Sequence, residues 1–132
     1  RKKISDLKER VRMVNETENP LLLSIHQNFF PDGHYSGAQV FYTSTAGSQR
    51  LAADMQRSFV KTLNPGSKRQ EKKSSGIYLM EHISCPGVLI ECGFLSNPID
   101  ESNLLKPSYR EKLAEIIASS VDKLFFAQTA KL

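Results

Sequence analysis

The stretch Pro86-Gly87-Val88-Leu89-Ile90-Glu91-Cys92-Gly93-Phe94-Leu95-Ser96-Asn97 constrains this chain more than any other. It opens as an apolar run and closes with a carboxylate, a glycine and a turn. Val88 to Ile90 predicts a strand buried on both faces, as inside a parallel sheet. Glu91 then falls at the carboxyl end of that strand, the edge where open α/β sheets bind ligands. The residues before it are too apolar for the rim of a sheet. Glu91 is therefore either a functional carboxylate or a cap or arginine partner for the next element.

The rest of the chain arranges itself around this strand. Residues 2–14 predict an amphipathic helix, with Ile4, Leu7, Val11 and Val14 at three- and four-residue spacing. Leu21 to Ile25 predicts a second short buried strand, ending at His26-Gln27-Asn28. A histidine thus ends one strand and a glutamate another. A loop over 29–36 carries the turn signal Pro31-Asp32-Gly33, and 37–43 alternates as a strand with Ala38, Val40 and Tyr42 on one face. Leu51, Ala52, Met55, Phe59 and Leu63 form the stripe of a helix over 48–63, stopped by Asn64-Pro65-Gly66.

Residues 76–80 predict another short strand, and 99–105 a helical turn. A long helix over 108–126 is carried by Tyr109, Leu113, Ile116, Ile117, Val121 and Leu124, with Ser108 and Glu111 spaced as a capping box. From Ala127 onward there is no pattern. Strands alternating with helices predict a three-layer α/β domain whose central sheet is mostly parallel and flanked by helices. At 132 residues the whole chain is expected to be one domain with one core.

Charge narrows the partners. The net charge is +4, and basic residues gather at Arg1–Arg12 and Lys68–Lys73. Such clusters attract anions weakly, but neither has the interleaved aromatics of a single-strand platform, so no nucleic-acid partner is expected. No apolar run approaches the roughly 20 residues of a membrane helix, and no signal peptide is visible. The chain opens on Arg1-Lys2-Lys3 without an initiator methionine, as a piece of a longer protein would. Cys85 and Cys92 flank one short strand, and an extended segment at about 3.3 Å per residue separates them too far for a disulfide. Both are expected to be reduced and buried.

Three constellations could carry chemistry. His26 and Glu91 could sit on one sheet edge, a neutral imidazole as zinc ligand beside a carboxylate that takes a proton from water. Cys92 could be a nucleophile with His26 or His82 as base, although nothing near it in sequence lowers its pKa. His82 and Cys85, with Cys92, could be metal ligands, but without the doubled Cys-x-x-Cys spacing of structural zinc sites. His34 lies in a polar loop, with no chemical role expected.

Ser24-Ile25-His26-Gln27-Asn28, then Gly37 to Tyr42, then Val88 to Asn97 together resemble the zinc-dependent N-acetylmuramoyl-L-alanine amidases of bacterial cell walls. The likeness runs from the first helix to about Phe126, with Lys68-Arg69 and Ser75 to Leu79 matching an intervening segment. Its details resemble the germination-associated branch of spore formers. The resemblance implies an α/β fold, peptidoglycan as substrate, an extracytoplasmic site of action at the cell wall, and hydrolysis of the amide between the lactyl group of muramic acid and L-alanine. It also implies that His26 is a zinc (Zn2+) ligand and Glu91 the catalytic glutamate.

The resemblance is incomplete at the N-terminus. Such enzymes begin with a strand ending in Asp-Pro-Gly-His-Gly-Gly and carry a glutamate on the following helix, which together supply the other two zinc ligands. This chain has neither, and its first residues already match the helix before the Ser-Ile-His block. The expectation is an amidase domain lacking its first strand and helix, weak in zinc binding and inactive by itself. A missing strand would leave an open sheet edge through which the chain could self-associate. The competing reading is a non-catalytic module that grips anionic wall polymer through Lys68–Lys73, which requires no carboxylate at Glu91.

Overall fold

The apolar run around Val88 takes the interior of the sheet. The structure, a computed structural model, describes residues 2–126, and the side chain of Lys2 is left aside. The unpatterned tail from Ala127, and Arg1 of the first basic cluster, lie outside the described residues. In chain order the elements are α1 (Lys2–Glu16), β1 (Leu22–Asn28), β2 (Gln39–Tyr42), α2 (Ser48–Thr62) and β3 (Lys72–Lys73). Then follow α3 (Tyr78–His82), β4 (Gly87–Phe94), α4 (Pro98–Leu104) and α5 (Pro107–Val121), which runs into a π-helical turn over Asp122–Phe126.

The sheet order is β1-β4-β2-β3. Pairs β1–β4 and β2–β3 are parallel, while β2–β4 is antiparallel. The mostly parallel α/β architecture read from the alternation of elements is the one observed. On one face, Val40, Val88, Ile90 and Cys92 pack against Leu51, Ala52, Met55 and Phe59 of α2 and Leu113 and Ile117 of α5. The four α2 residues are fully buried, as the helical stripe predicts. Met80 and Ile83 are buried outside this cluster, and a Cβ on Gly87 would meet Ile83 Cδ1 at 2.7 Å. A side chain at this position would have to push the end of the Ile83 side chain aside, so glycine gives Ile83 its room against β4.

Four expectations change. Residues 76–80 do not form a strand: Tyr78–His82 is helical, and the fourth strand is Lys72–Lys73. A five-residue apolar run cannot separate helix from strand by period, and two exposed lysines carry no strand signal. Ser108 does not cap α5; the N-cap is Lys106 and Pro107 stands in the first turn, where its missing N–H costs nothing. The strand around Leu21–Ile25 is not buried. It is the sheet's edge, with Ile25 57% exposed.

Finally, Glu91 and His26 lie inside their strands rather than at the ends, because β4 runs on to Phe94 and β1 to Asn28. The α1 stripe is only partly covered as well. Leu7, Val11 and Val14 are half-buried and Ile4 is exposed. Asn15 ties this helix down, donating to His82 O at 3.1 Å and accepting from Ser84 N at 3.0 Å. Beside β1, Leu23 and Ile25 with Leu113, Ile117, Val121 and Phe126 line an open apolar groove of ≈ 680 Å³.

Candidate active site

Parallel pairing puts His26 directly opposite Glu91. Residues in register across neighbouring strands project from the same face, so the two side chains flank one spot on the face away from α2 and α5. His26 is exposed and shares a 2.7 Å hydrogen bond with Ser24 Oγ, two residues back on that face. Glu91 is half-buried. Its Oε2 is wholly buried and, among the described residues, has no hydrogen-bond partner. Burial pushes its carboxyl pKa up, and the neighbouring His26 partly opposes the shift. A buried acceptor left unpaired is costly, and a catalytic role is one of the few explanations for it.

The segment after Glu91 holds the site's shape. The β1–β4 register shifts between His26 and Asn28, so that Asn28 pairs with Phe94. This bulge returns Phe94 to the face of Glu91, clear of the α2–α5 core. Asp100, nearly fully buried, accepts from Phe94 N at 2.9 Å and from Gly37 N at 2.8 Å. A Cβ on Gly93 would come within 3.1 Å of the same carboxylate, so the glycine permits this approach. Asn97 caps α4 by accepting from Ile99 N and Asp100 N, and its amide donates to Gly33 O at 2.8 Å. Phe30 N donates to Ser96 Oγ at 2.9 Å. The Gly93 to Asn97 run is thus a clamp on the loop over 29–37. Asp100 escaped the sequence reading, although Asn97-Pro98 followed by an acid in the first turn is a helix-start signal.

Arg69 from the basic loop closes the far side. Its Nε donates to Ser36 O at 2.9 Å and one terminal nitrogen donates to Gln39 Oε1 at 3.2 Å. The guanidinium carbon lies 5.1 Å from the centre of the Phe94 ring. Gln39 stands opposite Glu91 in the β2–β4 register. Arg69, Lys68 and Lys72 line an open groove of ≈ 940 Å³ with Tyr35, Gln39 and Asp100.

The other candidates are not gathered here. His34 is exposed and bonded to Asp32 at 2.7 Å. His82 stacks on Tyr78, ring centres 4.0 Å apart, and its Nδ1 bonds Tyr78 O. Cys92 points to the opposite face from Glu91, into the α5 core, and burial pushes its thiol up to about 11. At neutral pH it is protonated, which removes it as a nucleophile. Among the described residues no group of three or more His, Cys, Asp or Glu side chains could hold a metal ion. His26 offers one imidazole, so the described residues do not by themselves fit the zinc that the resemblance implies.

Comparison with known proteins supplies the context. The family model described as N-acetylmuramoyl-L-alanine amidase matches residues 1–123. A germination-specific N-acetylmuramoyl-L-alanine amidase of Bacillus subtilis (strain 168) is 40% identical over 126 residues, covering 95% of this chain and 53% of that protein. The N-acetylmuramoyl-L-alanine amidase LytC of the same organism is 32% identical over 114 residues, covering 84% of this chain and 23% of its own length. Among solved structures, the CwlD amidase of Clostridioides difficile, in complex with the GerS lipoprotein, superposes with a TM-score of 0.86 at 33% identity, over 93% of this chain and 63% of that one. The chain therefore spans about half the length of the germination-specific relative (53%).

Proposed function

The chain belongs to the N-acetylmuramoyl-L-alanine amidase family, and on that premise we propose that it carries the catalytic base of a peptidoglycan amidase. The bond cleaved is the amide between the lactyl carbonyl of N-acetylmuramic acid and the nitrogen of L-alanine. The observation that carries this reading is the buried, unpartnered Oε2 of Glu91 beside His26. A carboxylate held there accepts a proton from water as the water oxygen attacks the carbonyl carbon. It then gives that proton to the alanine nitrogen as the C–N bond breaks. Its raised pKa, set by burial, suits both halves of this transfer.

The reading extends to the cell wall as the place of action, outside the cytoplasm, and to germination, which the name of the 40%-identical relative supports. An anionic-polymer grip through Lys68–Lys73 would leave the orphaned carboxylate without a task. Solvent oxygen tests the activity directly: it should enter the lactyl carboxylate of the product.

Zinc and self-association belong to the same proposal. His26 would be one zinc ligand, with the others supplied from outside the described residues. The β1 edge carries neither charge nor proline to discourage strand addition, and its proposed occupant in an isolated 132-residue chain is β1 of a second copy. Residues 1–132 alone are expected to elute larger than a monomer and to hold well under one zinc per chain. Light scattering and elemental analysis of the same peak check both, and a monomer with stoichiometric zinc would contradict both.

A further inference from the structure

Arg69 takes no part in the proton transfer, yet its guanidinium is held on three sides by Ser36 O, Gln39 Oε1 and the Phe94 ring. The ion pairs among the described residues involve Arg10, Arg12, His34, Arg57 and Lys123, and none involves Arg69. Of its five N–H donors, these contacts engage two. A half-buried, oriented guanidinium without a counter-ion is prepared for a planar anion that accepts two hydrogen bonds. Lys68 and Lys72 line the same groove; of its acids, Asp100 is already committed to Gly37 N and Phe94 N, and Glu71 makes no ion pair.

Position identifies the anion. Phe94, under Arg69, lies opposite Asn28, two β1 residues beyond the His26–Glu91 pair, about 7 Å along the sheet at roughly 3.3 Å per residue. That is the reach of about two peptide units from the scissile amide. We infer that Arg69 binds a carboxylate in the peptide stem, on a residue beyond L-alanine, and so selects acidic stems over amidated ones. This rests on the amidase reading, whose substrate side it specifies.

The test uses the full-length protein and two synthetic muramoyl peptides. In one, L-alanine is followed by a residue with a free carboxylate; in the other that carboxylate is amidated. Arg69→Ala should raise KM for the acidic substrate about ten- to a hundredfold, as loss of a charge-assisted pair implies. KM for the amidated substrate should change far less, so that the preference between the two substrates is lost, with partial rescue by Arg69→Lys. Calorimetry with the two free peptides, which needs no turnover, should show a preference for the acidic one that Arg69→Ala removes. Equal binding of the two by the unaltered protein, or a kcat loss shared by both substrates, would overturn the inference. Failure of the unaltered protein to cleave either substrate would overturn the amidase reading alone, because the calorimetric preference decides Arg69 by itself.

Discussion

Replacing Glu91 with glutamine is expected to lower turnover about 10²- to 10⁴-fold, the usual contribution of a positioned general base. The carboxamide has nearly the shape of the carboxylate but cannot accept the proton from water or deliver it to the alanine nitrogen. The fold should survive, because among the described residues Oε2 makes no hydrogen bond that the substitution would break. Steady-state hydrolysis of a muramoyl peptide by the full-length variant, alongside its thermal unfolding, separates chemistry from stability. Intact turnover in a folded Glu91→Gln protein would show that another group accepts the proton, whereas no turnover by the unaltered protein would favour the binding-module reading, which has no use for this carboxylate.

The second large effect is structural. Asp100 joins the end of the central strand to the loop over 29–37 through two backbone donors. Asp100→Ala leaves both N–H groups buried and unpaired, at about 1–3 kcal/mol each. The expected loss of about 2–6 kcal/mol is a large share of the roughly 5–15 kcal/mol by which such domains are stable. Asp100→Asn keeps one acceptor and should lose less. Urea titration of the three proteins measures this ordering. A midpoint for Asp100→Ala indistinguishable from the parent would show that water or a rearranged loop satisfies those donors.

What could be read from the chain divides along a physical line. The α2 stripe and the central strand were legible because burial on one face imposes a period, and the structure buries Leu51, Ala52, Met55 and Phe59 completely. The juxtaposition of His26 and Glu91 was legible in outline, as two polar residues following apolar runs; their direct register was not, since it depends on pairing across the sheet. The short elements escaped. β3 consists of two lysines paired to Phe41 and Tyr42, and α3 is a single short helix over Tyr78–His82. Asp100 and Arg69 escaped for another reason: each acts on backbone far away in sequence, Asp100 on Gly37 63 residues back and Arg69 on Ser36 33 residues back. No local pattern encodes such a contact. The exposed β1 edge also ran against the apolar signal of Leu21–Ile25, because a run of that composition does not say whether a neighbour lies beside it.

Hydrolysis in ¹⁸O-labelled water, followed by mass spectrometry of the products, tests the central claim most directly. The account predicts label in the lactyl carboxylate of muramic acid and unlabelled L-alanine amino termini from the full-length protein, with both products formed about 10²- to 10⁴-fold more slowly by Glu91→Gln. Label on a sugar carbon, or labelling of the lactyl carboxylate by Glu91→Gln at an unchanged rate, would contradict it.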